Sequence, residues 1–305
     1  MDREHINLSG QVNKVTRYVI VNADDFGYYD CVSKGILRAA DIGSVTATGI
    51  FSNSPFLETH LPWLKQSNSL DAGVHLNLTH RSPLTAAMRT RLHKWNGCFP
   101  GKFIMAKWIL MGRISFDVVT QELRAQIELC RAAGIKLSFL NSHEHIHMLP
   151  PVFRITQDLA TEYAIPHVRY ALPDAVSSFA PGSLIRDIAL NILGKNNYKL
   201  LQIPVLPFFG MAASGKLSLA YLRSTLRGLS PGVHELMCHP GACGNEDVPD
   251  PALSAYHAWK SELDTLTSNE FRILCHQENI RLIGYRHIKI ENGQLDVQID
   301  TQCKS

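Results

Sequence analysis

The feature that most constrains this chain is a regular alternation of apolar strand candidates and helical segments. "TRYVIVNADDFG" is a β-rich run that stops at two acids, and "YYDCVSKGILRAADIG" follows it with helical spacing and a closing glycine. The unit recurs. "SVTATGIFS" precedes a helical stretch from Pro55 to Gln66, "LDAGVHLNLT" opens a third unit, and "LSFLNSHEHIHM" with "PVFRITQDLATEYA" makes a fourth. "HVRYA" with 181–194, "KLLQIPVL" with 217–229, "GVHELMCHPG" with 255–279, and "IRLIGYR" with the tail continue the series. About eight strands separated by helices predict an α/β protein with a parallel sheet, more readily a closed or partly closed barrel than an open doubly wound sheet. No repeat or linker divides the chain, so a single domain over 16–305 is expected. A flexible arm would cover 1–15 and a rim insertion about 80–115, since loops of that length are usually functional.

Composition narrows the function classes. With 305 residues, 45% hydrophobic and 19% charged, the chain suits a water-soluble domain with a large core. The polar N-terminus lacks a signal-peptide pattern, which predicts a cytoplasmic protein. Seven scattered cysteines without CxxC spacing read as reduced thiols, not as a disulfide framework. A net charge of +3 with dispersed Lys and Arg gives no reason to expect nucleic acid. Histidine, at 14 residues, is the outlier and directs attention to metal or acid/base chemistry.

On a parallel barrel the C-terminal strand ends share one face, where active sites form. Asp24 and Asp25 end the first strand, His75 lies in the third, His143 in the fourth, and His239 ends the seventh. One carboxylate and two imidazoles make a three-donor set for a divalent cation. The run "NSHEHIHM" places His143, His145 and His147 at every second position, so strand geometry would turn all three rings one way and Glu144 the other. Plainer readings exist: the acid pair as a turn and helix cap, His75 as a strand histidine, His239 as a turn residue. The remaining histidines, among them His60, His80, His167 and His257, read as solvated or structural.

"VNADDFG", "GVHLNLT", "NSHEHIHMLP", "MCHPG" and "ELDTLTSNEF" stand here in the order and approximate spacing of the YdjC-like carbohydrate deacetylases, which include chitooligosaccharide and hopanoid-associated deacetylases. The resemblance spans roughly residues 17 to 290. It implies a deformed (β/α) TIM-like barrel, commonly a homodimer, that removes acetyl groups from N-acetylated amino sugars with one divalent cation. It further implies Asp25, His75 and His143 as metal ligands, Asp24 as catalytic base and His239 as general acid. One departure is Asn141, where many relatives carry Asp; it brings hydrogen bonds but no charge.

Amide hydrolysis needs an activated water, a stabilised oxyanion and a protonated leaving nitrogen, which this set of groups could supply. His145 or His147 could line the sugar pocket or orient a ligand, and Arg169 could hold the base or a sugar hydroxyl. Two imidazoles and a carboxylate suit Zn, Co, Ni or Fe, while the resemblance brings in Mg, so Zn and Mg both stand. "FIMAKWILMGRI", residues 103–114, is apolar with two basic residues and could dip into a membrane interface to reach a lipid-linked sugar; a lid or dimer helix is the plainer reading. Two other functions fit the same residues less well. A binding module without activity would not need both Asp24 and His239, and a two-metal phosphoesterase would show more carboxylates and a phosphate-cradling glycine loop.

Overall fold

A computed structural model of the chain describes residues 17–67, 69–174, 181–244, 246–291 and 294–298; the expected arm at 1–15 lies outside them. The strands are β1 (Arg17–Phe26), β2 (Ala47–Ile50), β3 (Asp71–Leu76), β4 (Leu137–Ser142), β5 (His167–Val168), β6 (Phe208–Phe209), β7 (Gly232–Cys238) and β8 (Ile280–Leu282), followed by a hairpin of β9 (Ile288–Glu291) and β10 (Gln294–Val297). Helices α1 (Asp30–Asp41), α2 (Leu57–Gln66), α3 (Ala86–Arg91), α4 (Lys102–Leu110), α5 (Phe116–Ala132), α6 (Pro150–Glu162), α7 (Pro181–Asn197), α8 (Leu219–Arg227), α9 (Pro251–Tyr256), α10 (Trp259–Leu266) and α11 (Asn269–Gln277) fill the connections.

The first eight strands form one sheet in the order β5-β4-β3-β2-β1-β7-β6, and every pairing is parallel. β8 pairs with the start of β1 through Arg17–Val19, on an edge that β2 takes over from Asn22 onward. The sheet curls into a barrel-like shell, as the alternation predicts. Among the described residues β5 and β6 do not pair, so backbone hydrogen bonds do not close it.

Side-chain period sets the two layers. In α1 the buried residues Val32, Ile36, Ala39 and Ala40 form one helical stripe against the sheet. The main core lies between helices and sheet. A second, smaller core occupies the barrel interior at its N-terminal end, where Ile20, Ala47, Phe139, Val233 and Tyr285 meet and the Phe139 and Tyr285 rings stack 4.6 Å apart. Toward the C-terminal strand ends this interior becomes polar, and that change positions the site.

Two expectations are corrected here. The sixth strand is not "KLLQIPVL" but the short Phe208–Phe209, because Pro204 and Pro207 cannot donate to a ladder and leave the apolar run as packed irregular chain. Cys31 and Cys243, read as reduced thiols, form a disulfide across 212 residues. It ties the start of α1 to the loop after β7, and Ala242 N–H donates to the Cys31 carbonyl (2.8 Å) beside it. Gly35 permits this contact, since a Cβ there would fall 2.3 Å from Gly241 Cα. The segment expected to be a rim insertion holds α3, a 3-10 turn at His93–Trp95 and α4.

Candidate metal centre and active site

Strand alternation alone would send the carboxylates of Asp24 and Asp25 to opposite faces. The register between β1 and β2 shifts between Ala23 and Phe26, and Asp25 takes φ 71°. This bulge turns Asp25 back, so both consecutive acids reach one cavity at the price of a left-handed backbone. Asp25 Oδ1 lies 3.2 Å from His75 Nε2 and 3.0 Å from His143 Nδ1. The three donor atoms all fall within 4.8 Å of one another, and all three residues are buried. One oxygen and two nitrogen donors at this spacing fit a single divalent cation.

The neighbours orient these groups. His75 Nδ1 donates to Asn141 Oδ1 (2.8 Å), which leaves Nε2 as the ring nitrogen that faces Asp25 and would ligate a cation there. Asn141 Nδ2 in turn donates to Asp24 Oδ1 (2.8 Å). A neutral amide therefore bridges a histidine and the second acid, a position where a carboxylate would face Asp24 with like charge. Burial would raise the Asp24 carboxyl, but the Arg169 guanidinium, then His75, outweigh it and hold it below the usual carboxylate range. Arg169 donates from both Nη1 (2.6 Å) and Nη2 (2.9 Å) to Asp24, and from Nε to Glu235 (2.6 Å). Glu235 also accepts from Asn22 Nδ2 (3.1 Å). The result is a buried column, Asn22–Glu235–Arg169–Asp24–Asn141–His75, running up the barrel interior.

His239 follows β7 at the C-terminal end of the strand and is buried. Its N–H donates to Glu262 Oε2 (2.6 Å), and Glu262 Oε1 accepts from Leu217 N–H (3.1 Å). His239 Nδ1 is buried with no hydrogen-bond partner among the described residues. Its ring lies 4.9 Å from His257, which stacks on Trp259.

The expected row of three same-face histidines does not exist. β4 ends at Ser142, and residues 143–148 form a 3-10 turn in which Glu144 and His145 take φ 51° and 55°. Of these three histidines, His143 is the one that reaches Asp25. Both ring nitrogens of His147 are engaged, Nδ1 with Ser142 Oγ (2.5 Å) and Nε2 with the Arg169 carbonyl (2.9 Å), so it braces the turn and is not free to bind a ligand. His145 is half-buried beside Phe208; desolvation of the ring, then Arg169, push its pKa far down, and its buried Nδ1 has no partner among the described residues. Glu144, expected to point away, joins the rim. Its Oε1 takes Lys102 Nζ at 2.8 Å and its Oε2 lies 3.7 Å from His80 Nε2. His80, read as a bystander, sits with its ring 5.0 Å from His143.

The YdjC-like protein family matches residues 18–277. This chain belongs to that family. Relatives named carbohydrate deacetylase include one from Brevibacillus brevis, 36% identical over 270 residues with 88% of this chain and 99% of that protein covered. Another, from Geobacillus stearothermophilus, is 31% identical over 274 residues, covering 88% and 97%. A solved structure from Enterococcus faecalis V583, described provisionally as a cellobiose-phosphate cleavage protein, shares the fold (TM-score 0.68, 23% identity, 89% of this chain and 98% of that one).

Within this YdjC-like site, residues beyond the expected set stand out. Tyr28 is buried with its ring 5.6 Å from His143, and Arg81 stacks over that ring at 4.8 Å. Glu235 and Glu262 carry structural contacts that sequence reading had not assigned. For Glu235 a signal was present: an acid inside an apolar parallel strand is rarely buried without a partner. For Tyr28 and Arg81 no local pattern would have shown it.

Proposed function

We propose that this chain is a metal-dependent carbohydrate deacetylase that hydrolyses the acetamide of an N-acetylated amino sugar, on an oligosaccharide or a lipid-linked glycan. The convergence of Asp25, His75 and His143 on one point, with Asp24 held beside it by Arg169, carries this reading. The names of the deacetylase relatives support it.

Asp25, through Oδ1, His75, through Nε2, and His143, through Nδ1, would hold the cation. Bound there, a divalent cation supplies polarisation of the acetyl carbonyl and a lowered pKa for water. Asp24 stays ionised between Arg169 and Asn141 and takes a proton from the attacking water on its carboxylate. Arg169 fixes the direction of that carboxylate through two parallel hydrogen bonds. His239, its backbone pinned by Glu262, delivers an imidazole proton to the leaving nitrogen. His143 packs against Tyr28 and Phe51, rings that keep bulk water from the donor set.

The donor set suits Zn over Mg, and elemental analysis of protein reconstituted with each metal decides between them. A homodimer completes the reading, and sedimentation velocity measures it; the Cys31–Cys243 disulfide weighs against the cytoplasmic location expected from the sequence. The decisive experiment incubates the purified protein with acetylated chitooligosaccharides, with and without chelator, and assays acetate. Asp24→Asn should cut turnover by about a hundred to ten thousand times while metal content is unchanged. Acetate release at the parent rate would remove Asp24 as the base, and acetate release insensitive to chelation would remove the metal.

A further inference from the structure

Residues 72–116 contain seven Lys or Arg and neither Asp nor Glu, in a chain whose totals are 30 and 27. Five of the seven, Arg89, Arg91, Lys94, Lys107 and Arg113, are exposed. The same segment exposes large apolar side chains: Phe103 at 81%, Leu110 at 60%, Met111 at 55% and, at its end, Phe116 at 52%. The segment is nonetheless firmly seated. Met105, Ile109 and Ile114 are buried, and Lys102 at the start of α4 bonds Glu144, the neighbour of His143. The face is thus rigidly referenced to the mouth of the site. Helix α7 also packs against the 143–148 turn and exposes Ile185, Ile188 and Ile192, one stripe at helical spacing.

Exposed apolar residues in this density mark a surface that meets a partner. A second copy of the chain meeting the same face in two-fold fashion would bring one basic face against another, where nothing acidic from 72–116 offsets the charge. An anionic bilayer offers both what the apolar tips and what the cations need. We propose that the α4 face is a docking surface for an anionic lipid bilayer, with Phe103, Leu110 and Met111 entering the acyl boundary and Lys107 and Arg113 meeting lipid phosphates. The mouth of the site then stands at the membrane surface. This deepens the deacetylase reading by giving a lipid-anchored sugar a route to it, but the docking itself does not require activity.

The test is co-sedimentation of the full chain with vesicles of phosphatidylcholine alone and vesicles containing phosphatidylglycerol, at low and raised salt. The protein should pellet with the anionic vesicles only, and less in salt. A Phe103→Ser/Leu110→Ser/Met111→Ser variant and a Lys107→Glu/Arg113→Glu variant should each bind about ten times more weakly, with parental Tm. Failure of the parent to pellet, equal pelleting with both vesicle types, or parental binding by both variants would overturn the proposal. So would a shift of the apolar variant from dimer to monomer, which would give the face to a second copy. Acetate release from soluble chitooligosaccharide should be the same in parent and variants; vesicle binding without any acetate release would leave the docking surface standing and remove the deacetylase reading.

Discussion

The barrel interior and the rim segment from 72 to 116 handle charge in opposite ways. Inside, Asp24, Glu235 and Arg169 are almost fully buried, and each charge faces its opposite or an amide. On the rim, charges of one sign stand in solvent beside unpartnered apolar side chains. Buried ions survive only when geometry satisfies them, so the interior is tolerant of nothing and suited to holding reacting groups in place. The rim is tolerant of most substitutions and suited to recognition, where long-range charge and exposed area decide the partner. On the proposed reading, chemistry and recognition sit on separate parts of the fold, joined by the Lys102–Glu144 contact next to His143.

The sharpest way to break this contrast is Arg169→Leu. It strands two buried carboxylates and should cost about 3–5 kcal/mol of stability and most of the turnover; denaturant melts and an acetate assay read both, and a mild loss would mean the column is less coupled than its contacts imply. Next, Cys243→Ser, or reduction, releases the loop carrying His239 and should lower stability by about 2–4 kcal/mol. A reduced protein that melts with the oxidised one would show that the packing of Gly35 on Gly241 suffices.

His167 tests the interior by pH. Burial pushes its pKa down to about 4, and neither ring nitrogen has a partner among the described residues. The folded state therefore keeps the ring neutral while the unfolded chain takes a proton below about pH 6.5. Its stabilising effect is full above that pH and falls as pH drops toward 4, by on the order of 3 kcal/mol. His167→Leu should raise Tm at pH 5 more than at pH 7, and an equal change at both would contradict the buried neutral ring.

Smaller still, Asn141→Leu leaves the His75 tautomer unheld, so metal affinity measured by chelator competition should fall about 10–100-fold. The smallest effect belongs to the rim. Lys107→Glu should move stability by no more than about 0.5 kcal/mol and leave turnover of a soluble sugar unchanged; a large loss of either would join rim and interior into one functional unit.

Much of this was legible in one dimension. Hydrophobic period and turn residues located β1 to β5, β7 and β8 because each is a local rule, and the placement of Asp24, Asp25, His75 and His143 at or just after strand ends follows from parallel topology. The sixth strand failed where two prolines interrupted an apolar run, and the three-histidine row failed because Glu144 and His145 adopt positive φ that no glycine announces.

What sequence alone determined is therefore the order of layers and the chemistry available, since periodicity and residue type are properties of neighbours along the chain. Tertiary structure decided which groups meet. The bulge that turns Asp25 beside Asp24, the amide of Asn141 between His75 and Asp24, the pairing of Cys31 with Cys243 and the approach of Glu144 to Lys102 all join residues through space. Their energies depend on distance and burial after folding, which no spacing along the chain encodes.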